Sequence, residues 1–460
     1  MIKCPKCAGE MKFDPVLQKV KCNYCGSEFT NEELEKYGIK YSDVDNEAVS
    51  ENSFEGKVYK CNQCGAELMT FDDTAVTFCS YCGSQAIIED KMKKVNNPDL
   101  VIPFSITKEQ CVEAYKRKVS SFLFAPSYLK SDVVLDKFRG IYMPYGLYNM
   151  KHNGPVTFRG TKYSRRVGDY EYYNDYEITA NVDASYDGVS YDLSSKFYDY
   201  FSTSIPFNTG ALVPFDAKYL IGYYADALDV NQLLYKKSAN SIVQPDFTRR
   251  TLASTSFHGI NAAPILDLKY EQKTGMFPVY FMSIRDKKNE NIHYAVVNGQ
   301  TGQVAADLPI DFKKFILGTL AVALLIFAIL ETFLVATPTK VAAFATIMGI
   351  VCFVISNNQI SAIKERETHE NDLGHEYANE GKNIKVESRI SRFKFLYKEV
   401  IAIIVPMITC LMGLASDEYY YGAALLSLLL ILITIKDLIK EHNLLVSDKL
   451  PQLEKRGGDL

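Results

Sequence analysis

Hydrophobic and polar positions divide the chain into two unlike parts. Up to about residue 310 apolar residues alternate with polar ones, whereas four long apolar runs follow, at 315–336, 339–356, 399–416 and 420–437. The first run has 22 residues, and a helix of that length extends about 33 Å, enough to cross a bilayer core of about 30 Å. The sequence therefore predicts four transmembrane helices. Helices buried in a soluble core are the alternative.

Charges beside the apolar runs predict their orientation. Lys313 and Lys314 precede the first run, and the segment 357–398, between the second and third runs, carries eight Lys and Arg residues. The short connection between the third and fourth runs carries only acidic charge, from Asp417 and Glu418. Because basic loops stay on the cytosolic side, we expect a multi-pass protein of the inner (cytoplasmic) membrane with both termini in the cytosol.

The pattern of the soluble part predicts a β-rich domain with a few helices. Thr107 and Gln110 have the spacing of a capping box at the start of an amphipathic helix. The pair Asn298-Gly299 predicts a hairpin turn. The tyrosine-rich stretch 163–200 has two interpretations, the amphipathic strands of a sheet or a binding surface. Short alternating stretches predict strands at 141–148, 178–182, 213–224, 277–284 and 292–297.

Eight cysteines near the N-terminus form two sets with identical spacing. Each set reads Cys-x2-Cys-x14-Cys-x2-Cys, and the second repeats the first 57 positions later. Zn²⁺ prefers four thiolates in a tetrahedron, and a two-residue gap lets both sulfurs of a pair reach one ion. Disulfide-stapled hairpins are the alternative. The sequence predicts two tandem zinc ribbons, each with one structural Zn²⁺, and their ligands are Cys4, Cys7, Cys22, Cys25, Cys61, Cys64, Cys79 and Cys82.

Two further details support the ribbons. Glycine follows the last cysteine of each set, at Gly26 and Gly83, and glycine suits a tight metal-binding turn whose backbone needs a positive φ. The remaining cysteines, Cys111, Cys352 and Cys410, are isolated in sequence and suggest no disulfide framework. Thiolate sites beside unpaired thiols are typical of a reducing compartment, which agrees with a cytosolic N-terminus.

Motifs of catalytic chemistry are missing from the sequence. It contains no phosphate-binding loop, no dinucleotide-binding glycine motif, no nucleophile elbow and no HExxH motif, and its six histidines are scattered. Four cysteines for each metal ion leave no coordination position for an activated water. The sequence therefore predicts a protein that is not an enzyme.

The balance of charge disfavours nucleic acid as a partner. The formal net charge is −4, and residues 1–95 carry 12 Lys/Arg against 16 Asp/Glu. A ribbon that reads phosphates normally presents a basic face. A local basic edge exists at Lys12, Lys19 and Lys21. It is either a solvated face or the contact surface of a membrane-tethered, nucleic-acid-binding regulator, which we keep as the alternative function.

Together these patterns predict a multidomain chain with two small Cys4 zinc ribbons, a β-rich α+β cytosolic domain and an all-α transmembrane region. The basic stretch 91–98 is expected to be a hinge between the second ribbon and the larger domain. The expected divisions are zinc ribbon 1 at 1–30, an acidic linker at 31–56, zinc ribbon 2 at 57–90, the cytosolic domain at 99–310, four spans at 315–336, 339–356, 399–416 and 420–437, a charged cytosolic loop at 357–398 and a cytosolic tail at 438–460.

Several short sequence motifs resemble those of a bacterial family, the membrane-anchored TFIIB-type zinc-ribbon proteins. They are the start of the double ribbon at Cys4-Pro5-Lys6-Cys7, Ile102-Pro103-Phe104, Gly140-Ile141-Tyr142-Met143-Pro144-Tyr145 and Asn298-Gly299-Gln300-Thr301-Gly302. The resemblance implies the zinc-ligand role for all eight ribbon cysteines and no catalytic residue. One departure is Gly146, which stands where relatives tend to have tryptophan.

The resemblance also implies partners. Members of the family look like partners of phage-shock-protein-A-like (PspA-like) and flotillin-like (SPFH) proteins, which they help recruit to the membrane during envelope stress. We therefore expect a non-enzymatic, zinc-binding scaffold in the lipid bilayer that recruits such cytosolic proteins through its ribbons and β-rich domain.

Overall fold

The structure is a computed structural model that describes residues 3–37, 53–70, 79–81, 87–254, 257, 259–262, 266–285, 292–333, 337–368, 372–378 and 391–446. In these ranges the strands are β1 (Met11–Asp14), β2 (Lys19–Cys22), β3 (Glu28–Phe29), β4 (Ser53–Cys61), β5 (Glu67–Thr70), β6 (Ile87–Asn96), β7 (Leu100–Val101), β8 (Arg139–Val167), β9 (Tyr170–Asp192), β10 (Val213–Pro214), β11 (Tyr224–Asp226), β12 (Gly259–Ala262), β13 (Lys269–Arg285), β14 (Ile292–Asn298) and β15 (Val304–Ala306).

The helices fall into a scattered N-terminal set and a C-terminal bundle. They are α1 (Asn31–Lys36), α2 (Lys108–Ser121), α3 (Asp132–Leu135), α4 (Asp199–Ser204), α5 (Lys236–Ser254), α6 (Phe312–Phe333), α7 (Pro338–Thr368), α8 (Leu373–Ala378), α9 (Arg392–Met412) and α10 (Asp417–Leu445). Short 3₁₀ turns connect several strands of the sheet.

The first ribbon is a small antiparallel sheet, β1-β2-β3, that packs on the larger domain. Phe13 of β1 is fully buried and lies edge-to-face on Tyr219, with ring centroids 5.0 Å apart. The Phe13 backbone N–H donates to Ile221 O at 3.1 Å, and Gln18 Nε2 donates to Phe104 O at 2.9 Å. These contacts join the ribbon to the domain through a shared apolar core.

The larger domain is built around β8, which pairs with four other strands. It runs antiparallel to β9, β12 and β13 and parallel to β11. Strands β4 to β15 form one twelve-stranded sheet within the described ranges. Successive β8 residues point to opposite faces, because side chains alternate along a strand. Ile141 and Met143 enter the core on one face, whereas Tyr142 enters the core on the other.

The second ribbon is part of this sheet, which the sequence did not indicate. Strand β5 pairs antiparallel with β11, and β4 pairs with both β5 and β6. The expected hinge at 91–98 is wrong, because residues up to Asn96 belong to β6 and pair with β4. Backbone pairing overrides the polar composition there, since a strand at the edge of a sheet tolerates lysines well.

Several other local predictions are decided by the structure. The capping box of α2 is confirmed, with Thr107 and Gln110 satisfying each other's backbone N–H groups. The hairpin at Asn298-Gly299 is confirmed by the pairing of β14 with β15. The strand expected over 213–224 is wrong, because only β10 and the first residue of β11 are extended there and a 3₁₀ turn lies between them.

The C-terminal helices include candidate membrane spans. Three stretches in the described residues are long and apolar enough to cross a membrane: Pro338–Thr368, Phe395–Met412 and Asp417–Leu445. Helices α7, α9 and α10 pack on one another, and most side chains in their apolar stretches are not buried, as expected for a surface in contact with lipid. The chain is therefore a membrane protein. Helix α6 coincides with the first predicted span, but residues 334–336 lie outside the described residues, and four spans stay a prediction.

Helices α7 and α10 continue beyond the predicted spans and contact the soluble domain. Near the end of α10, Asn443 accepts a hydrogen bond from the backbone N–H of Ile310 at 2.7 Å and donates one to its carbonyl at 2.8 Å. His293 Nδ1 lies 2.9 Å from the carbonyl of Val446. These bonds fix the base of the sheet to the end of the bundle.

A second set of polar contacts strengthens this junction. The Arg366 guanidinium, near the end of α7, bonds to the carboxylate of Asp307, just after β15. Lys314, at the start of α6, donates to Ala125 O at 2.8 Å and to Ser127 Oγ at 2.9 Å. The soluble domain and the bundle are thus connected through three different helices.

Candidate metal centres

The first cysteine cluster brings four thiols together. The sulfurs of Cys4, Cys7, Cys22 and Cys25 all lie within 4.8 Å of one another. Cys4 Sγ is 3.7 Å from Cys25 Sγ, and Cys7 Sγ is 3.5 Å from Cys22 Sγ. Sulfurs on one tetrahedral Zn²⁺ at about 2.3 Å are about 3.8 Å apart. The separations therefore match shared coordination of one ion.

The second cluster has the same geometry at three positions. Cys61, Cys64 and Cys79 lie within 4.8 Å of one another, and Cys64 Sγ is 3.7 Å from Cys79 Sγ. The fourth predicted ligand, Cys82, lies outside the described residues. None of the described cysteines is in a disulfide. Separations of 3.5–3.7 Å are far from an S–S bond of about 2.05 Å, so the disulfide alternative is not supported at these positions.

The turns that carry the thiols share one backbone pattern. In the turn that starts at Cys4, the Ala8 N–H donates to Cys4 O at 2.8 Å and the Cys4 N–H donates to Gly9 O at 2.8 Å. The turns that start at Cys22 and at Cys61 repeat both bonds, at 2.8–3.0 Å. In each turn the residue after the second cysteine has a positive φ, between 59° and 71°. The spacing of each cysteine pair therefore sets a preformed turn that aims both sulfurs to one side.

Glycine after a cysteine pair was expected for this reason, and Gly26 has φ 71°. Gly83 lies outside the described residues. Alanine at the corresponding position of the first pair carries no such signal, but Ala8 nevertheless has φ 59°. An L-residue with a Cβ is strained in this region.

The strain at Ala8 leads to a testable expectation. Ala8→Gly should raise the free energy of unfolding of the first ribbon by about 0.5–1 kcal/mol, because glycine relieves the left-handed strain at a position whose φ it adopts freely. The measurement is the denaturant midpoint at which the ribbon releases its metal. Gly26→Ala is the reciprocal variant, because it adds a Cβ at a residue with a positive φ. No atom lies within 4 Å of that Cβ, so the variant tests backbone strain without a steric clash. It should lower the same midpoint, and a rise or no change there would contradict the argument.

The two clusters differ in their surroundings. Cys25 of the first cluster is exposed, and its sulfur lies 3.3 Å from the Ser27 hydroxyl. The hydrogen bond with Ser27 is the main reason why the pKa of Cys25 is lowered to about 6. Cys61, Cys64 and Cys79 are buried in the same core as Ile141 and Phe281. One centre is therefore at the surface of the protein, and the other is inside the main domain.

The donor chemistry narrows what the clusters can hold. Thiolates are soft ligands that bind Zn²⁺ and related thiophilic ions in tetrahedral sites. All seven described donor atoms are sulfurs. The hydrogen bonds that hold the cysteine turns are formed by backbone groups, so the thiols stay available for a metal ion. Such centres suit a structural role, because a full set of thiolates leaves no position for substrate or water. The residues fit a tetrahedral Cys4 ion.

The other cysteines and the basic edge lie away from these centres. Cys111 is buried on the core face of α2, and Cys352 and Cys410 lie in α7 and α9. Lys12 is largely covered by the domain, with its Nζ 4.6 Å from the centroid of the Tyr223 ring, and burial lowers its pKa. Lys19 lies 3.9 Å from Glu28. The edge is therefore less basic in the fold than in the sequence.

Comparison with known proteins shows that the chain is similar to a bacterial protein. The chain is 28% identical over 322 residues to the uncharacterized protein YdjG of Bacillus subtilis (strain 168), and the alignment covers 68% of this chain and 91% of that protein. The chain matches no protein-family profile, and no solved structure matches it. The similarity extends over most of both chains, so it is not limited to the cysteine spacing.

Proposed function

We propose that the protein is a non-enzymatic, zinc-binding scaffold in the inner membrane that recruits cytosolic PspA-like or SPFH-like proteins to the bilayer, for example under envelope stress. In this proposal both metal centres hold Zn²⁺, the chain crosses the membrane four times, and both termini and the sheet domain are cytosolic. Recruitment needs a rigid cytosolic body with a fixed position at the membrane. The following observations support it.

The main support is the junction between the sheet domain and the helix bundle. Asn443, His293 and Arg366 join the base of the sheet to helices that are apolar enough to cross a membrane. The first ribbon packs on the same domain through Phe13. A partner bound to the ribbons or the sheet would thus be held at a defined place relative to the bilayer.

A protruding arm offers a surface for such a partner. Beyond the last residue of β8 that pairs with β12, Thr161, strands β8 and β9 continue as a two-stranded ribbon. Tyrosine and arginine are enriched at protein–protein interfaces, because they give large contact areas and directional hydrogen bonds. The arm exposes Tyr163, Tyr170, Tyr172 and Tyr173, with Arg165 over the ring of Tyr172.

The position of these tyrosines bears on their two interpretations. Tyr186 and Tyr191, in the second half of β9, pack against a buried apolar cluster of the domain, as expected for amphipathic strands. Tyr170, at the tip, is 75% exposed. The binding-surface interpretation therefore fits the outer half of the hairpin, and the sheet interpretation fits the inner half.

The alternative, a membrane-tethered regulator that binds nucleic acid, has less support. A phosphate-binding surface needs several lysines or arginines free to release counterions. Lys12 is covered by Tyr223 and Lys19 lies beside Glu28. The sequence already disfavoured nucleic acid because residues 1–95 are acidic on balance. The fold disfavours it further, because two lysines of the basic edge have neighbours within the protein.

Affinity capture tests the proposed recruitment. The full chain and a Tyr170→Ser/Tyr172→Ser/Tyr173→Ser variant are purified from detergent-solubilised membranes of the native host, and copurifying proteins are identified by mass spectrometry. We expect PspA-like or SPFH-like proteins to copurify with the wild type. The amount that copurifies with the variant should be at least about ten-fold lower, because removal of interface tyrosines commonly weakens binding by about 2 kcal/mol or more.

The matched control is Leu233→Ser/Ile242→Ser, which removes exposed apolar surface elsewhere and should leave capture unchanged. Capture of neither protein class by the wild type would refute the proposed partners. Equal capture by both variants would remove the arm from the proposal. Specific, salt-sensitive retention of nucleic acid by the wild type would favour the alternative.

A further inference from the structure

A cavity of about 550 Å³ lies where the sheet domain meets the C-terminal ends of α7 and α10. The domain contributes residues around α4, such as Asp199 and Tyr200, and the helices contribute residues such as Arg366 and His442. A cavity of this volume is in the range that accommodates small ligands. Neither the metal centres nor the arm includes any of these residues.

Acidic side chains dominate the charged lining of the cavity. Asp199, Asp372 and Glu365 are acidic, whereas Arg366 is the basic side chain that accompanies them in the described lining. Arg366 is already bonded to the buried Asp307, so their charges largely cancel. The remaining lining is therefore negative and attracts a positively charged ligand.

The acidic residues also crowd one another. Asp199 accepts hydrogen bonds from Tyr235 OH at 3.2 Å and from the Leu373 N–H at 3.0 Å. Burial, followed by the negative charge of Asp372, raises the pKa of Asp199. Burial and the charge of Asp199 likewise raise the pKa of Asp192, whose side chain is hydrogen-bonded to Asp199. A bound cation would relieve this repulsion.

An unsatisfied polar atom marks the same place. Asp192 is 2% exposed, and its Oδ1 has no hydrogen-bond partner among the described residues. An unpaired buried carboxylate oxygen is destabilising unless a cation or another donor satisfies it. Asp192 interacts electrostatically with both Asp199 and Asp372 of the lining, so a cation in the cavity would stabilise all three carboxylates.

Aromatic rings form much of the wall around these carboxylates. Tyr191 and Tyr235 are stacked, with centroids 5.0 Å apart, and Tyr198 and Tyr200 lie 5.8 Å apart. The Arg366 guanidinium lies 5.4 Å from the centroid of Tyr200, so that ring already faces a cation. Electron-rich tyrosine faces attract alkylammonium groups and are the usual walls of cages for such groups.

The arrangement fits an organic cation better than a metal ion. Metal binding requires carboxylate oxygens that converge on one point at about 2–2.5 Å. In the described residues only the cysteine clusters bring three or more potential ligand atoms within 4.8 Å of one another. Apolar rings around dispersed negative charge instead suit a larger ion with a diffuse charge.

We propose that this cavity is a binding site for an alkylammonium group, with Tyr198, Tyr200 and Tyr235 as the aromatic wall and Asp199 and Asp372 as the anionic partners. The chemistry is shared by two sources. The cavity borders the ends of helices that span the membrane, so the amine headgroup of a phospholipid is one source, and a soluble amine of the cytosol is the other.

Binding of n-butylammonium to the detergent-purified full chain tests the proposal, with 1-pentanol as the neutral probe of similar shape. Isothermal titration calorimetry should show saturable binding of n-butylammonium and none of 1-pentanol at equal concentration. Asp372→Asn should weaken the affinity about ten-fold, because it removes one anionic partner. Tyr200→Leu should weaken it several-fold through loss of the aromatic face. Glu171→Gln, an equal change of charge on the arm, should leave it unchanged.

Several outcomes would overturn the proposal. Absence of saturable n-butylammonium binding by the wild type, equal binding of 1-pentanol, or an undiminished affinity in both cavity variants would each do so. The melting temperature of every variant is measured in parallel, and Tyr235→Phe, which keeps the ring and removes the hydroxyl that bonds to Asp199, replaces a variant that fails to fold. It should weaken binding less than Tyr200→Leu.

Lipid nanodiscs distinguish the two sources. In discs of phosphatidylglycerol alone, n-butylammonium should bind as it does in detergent. If the site holds a lipid headgroup, discs that also contain phosphatidylethanolamine should show a lower apparent affinity for the probe, because the lipid amine competes. Equal affinity in both discs would assign the site to a soluble amine.

Discussion

Replacing Cys64 by serine should destabilise the whole sheet domain, whereas replacing Cys25 should affect mainly the first ribbon. Cys64 is 1% exposed and shares a core with the residues of β8 and β13. Binding of a structural zinc ion contributes about 10–16 kcal/mol to the folding of zinc-finger peptides at neutral pH. Loss of one buried ligand therefore removes several kcal/mol from a core that also holds the sheet together. Cys25 is exposed and lies in a separate small sheet.

Metal analysis and thermal unfolding measure the two effects. Wild-type protein should contain two metal ions per chain, and each variant should contain one. The melting temperature of the sheet domain should fall strongly in Cys64→Ser and little in Cys25→Ser. Cys410→Ser, outside both clusters, is the control and should keep two ions. Equal melting temperatures for the two ribbon variants would show that the second centre does not support the domain core.

Breaking the ion pair at the junction should have the next largest effect. Arg366 and Asp307 are bonded, and their side chains are only 17% and 2% exposed. Removing one partner of a buried pair leaves the other charge uncompensated and lowers stability by about 3–5 kcal/mol. We therefore expect Arg366→Met to lower the melting temperature of the detergent-solubilised chain and to loosen the contact between sheet domain and bundle. Protease sensitivity between residues 307 and 315 is the second readout.

The double variant Arg366→Met/Asp307→Asn isolates the pair. It should be more stable than Arg366→Met alone, because no buried charge is left without its partner. Arg117→Met is the control, since its pair with Glu113 is 71% and 66% exposed and such surface pairs contribute about 0–1 kcal/mol. If Arg366→Met behaved like Arg117→Met, the junction would be held mainly by the hydrogen bonds of Asn443, His293 and Lys314.

The sequence predicted the parts of the site that depend on local spacing. Two residues between cysteines fix a turn, and that turn sets where the sulfurs point, so the Cys4 and Cys61 turns could be predicted without knowledge of the rest. The capping box of α2 and the hairpin at Asn298 are local for the same reason. The lengths of α7 and α10 were less predictable, because an apolar run indicates which residues can contact lipid but not where the helix that contains them ends.

The parts that were missed depend on contacts distant in sequence. The polar stretch 91–96 looked like a linker, but its backbone pairs with residues near 53–57. Asp199 and Asp372 are 173 positions apart in the sequence, so the acidic cavity could not be inferred before the helix ends were placed beside α4. Arg366 was interpreted as one of several loop charges that set the orientation, and the fold buries it against Asp307.

The length of two helices has a geometric consequence for the position of the sheet domain. Helix α7 has 31 residues and α10 has 29, so at 1.5 Å per residue each extends about 44–46 Å. That distance matches a whole bilayer of about 40–45 Å with its headgroup layers, rather than the hydrocarbon core of about 30 Å alone. The two helices are thus long enough to extend through the headgroup layers as well, and the sheet domain, bonded to their ends through Arg366 and Asn443, is held next to a membrane surface.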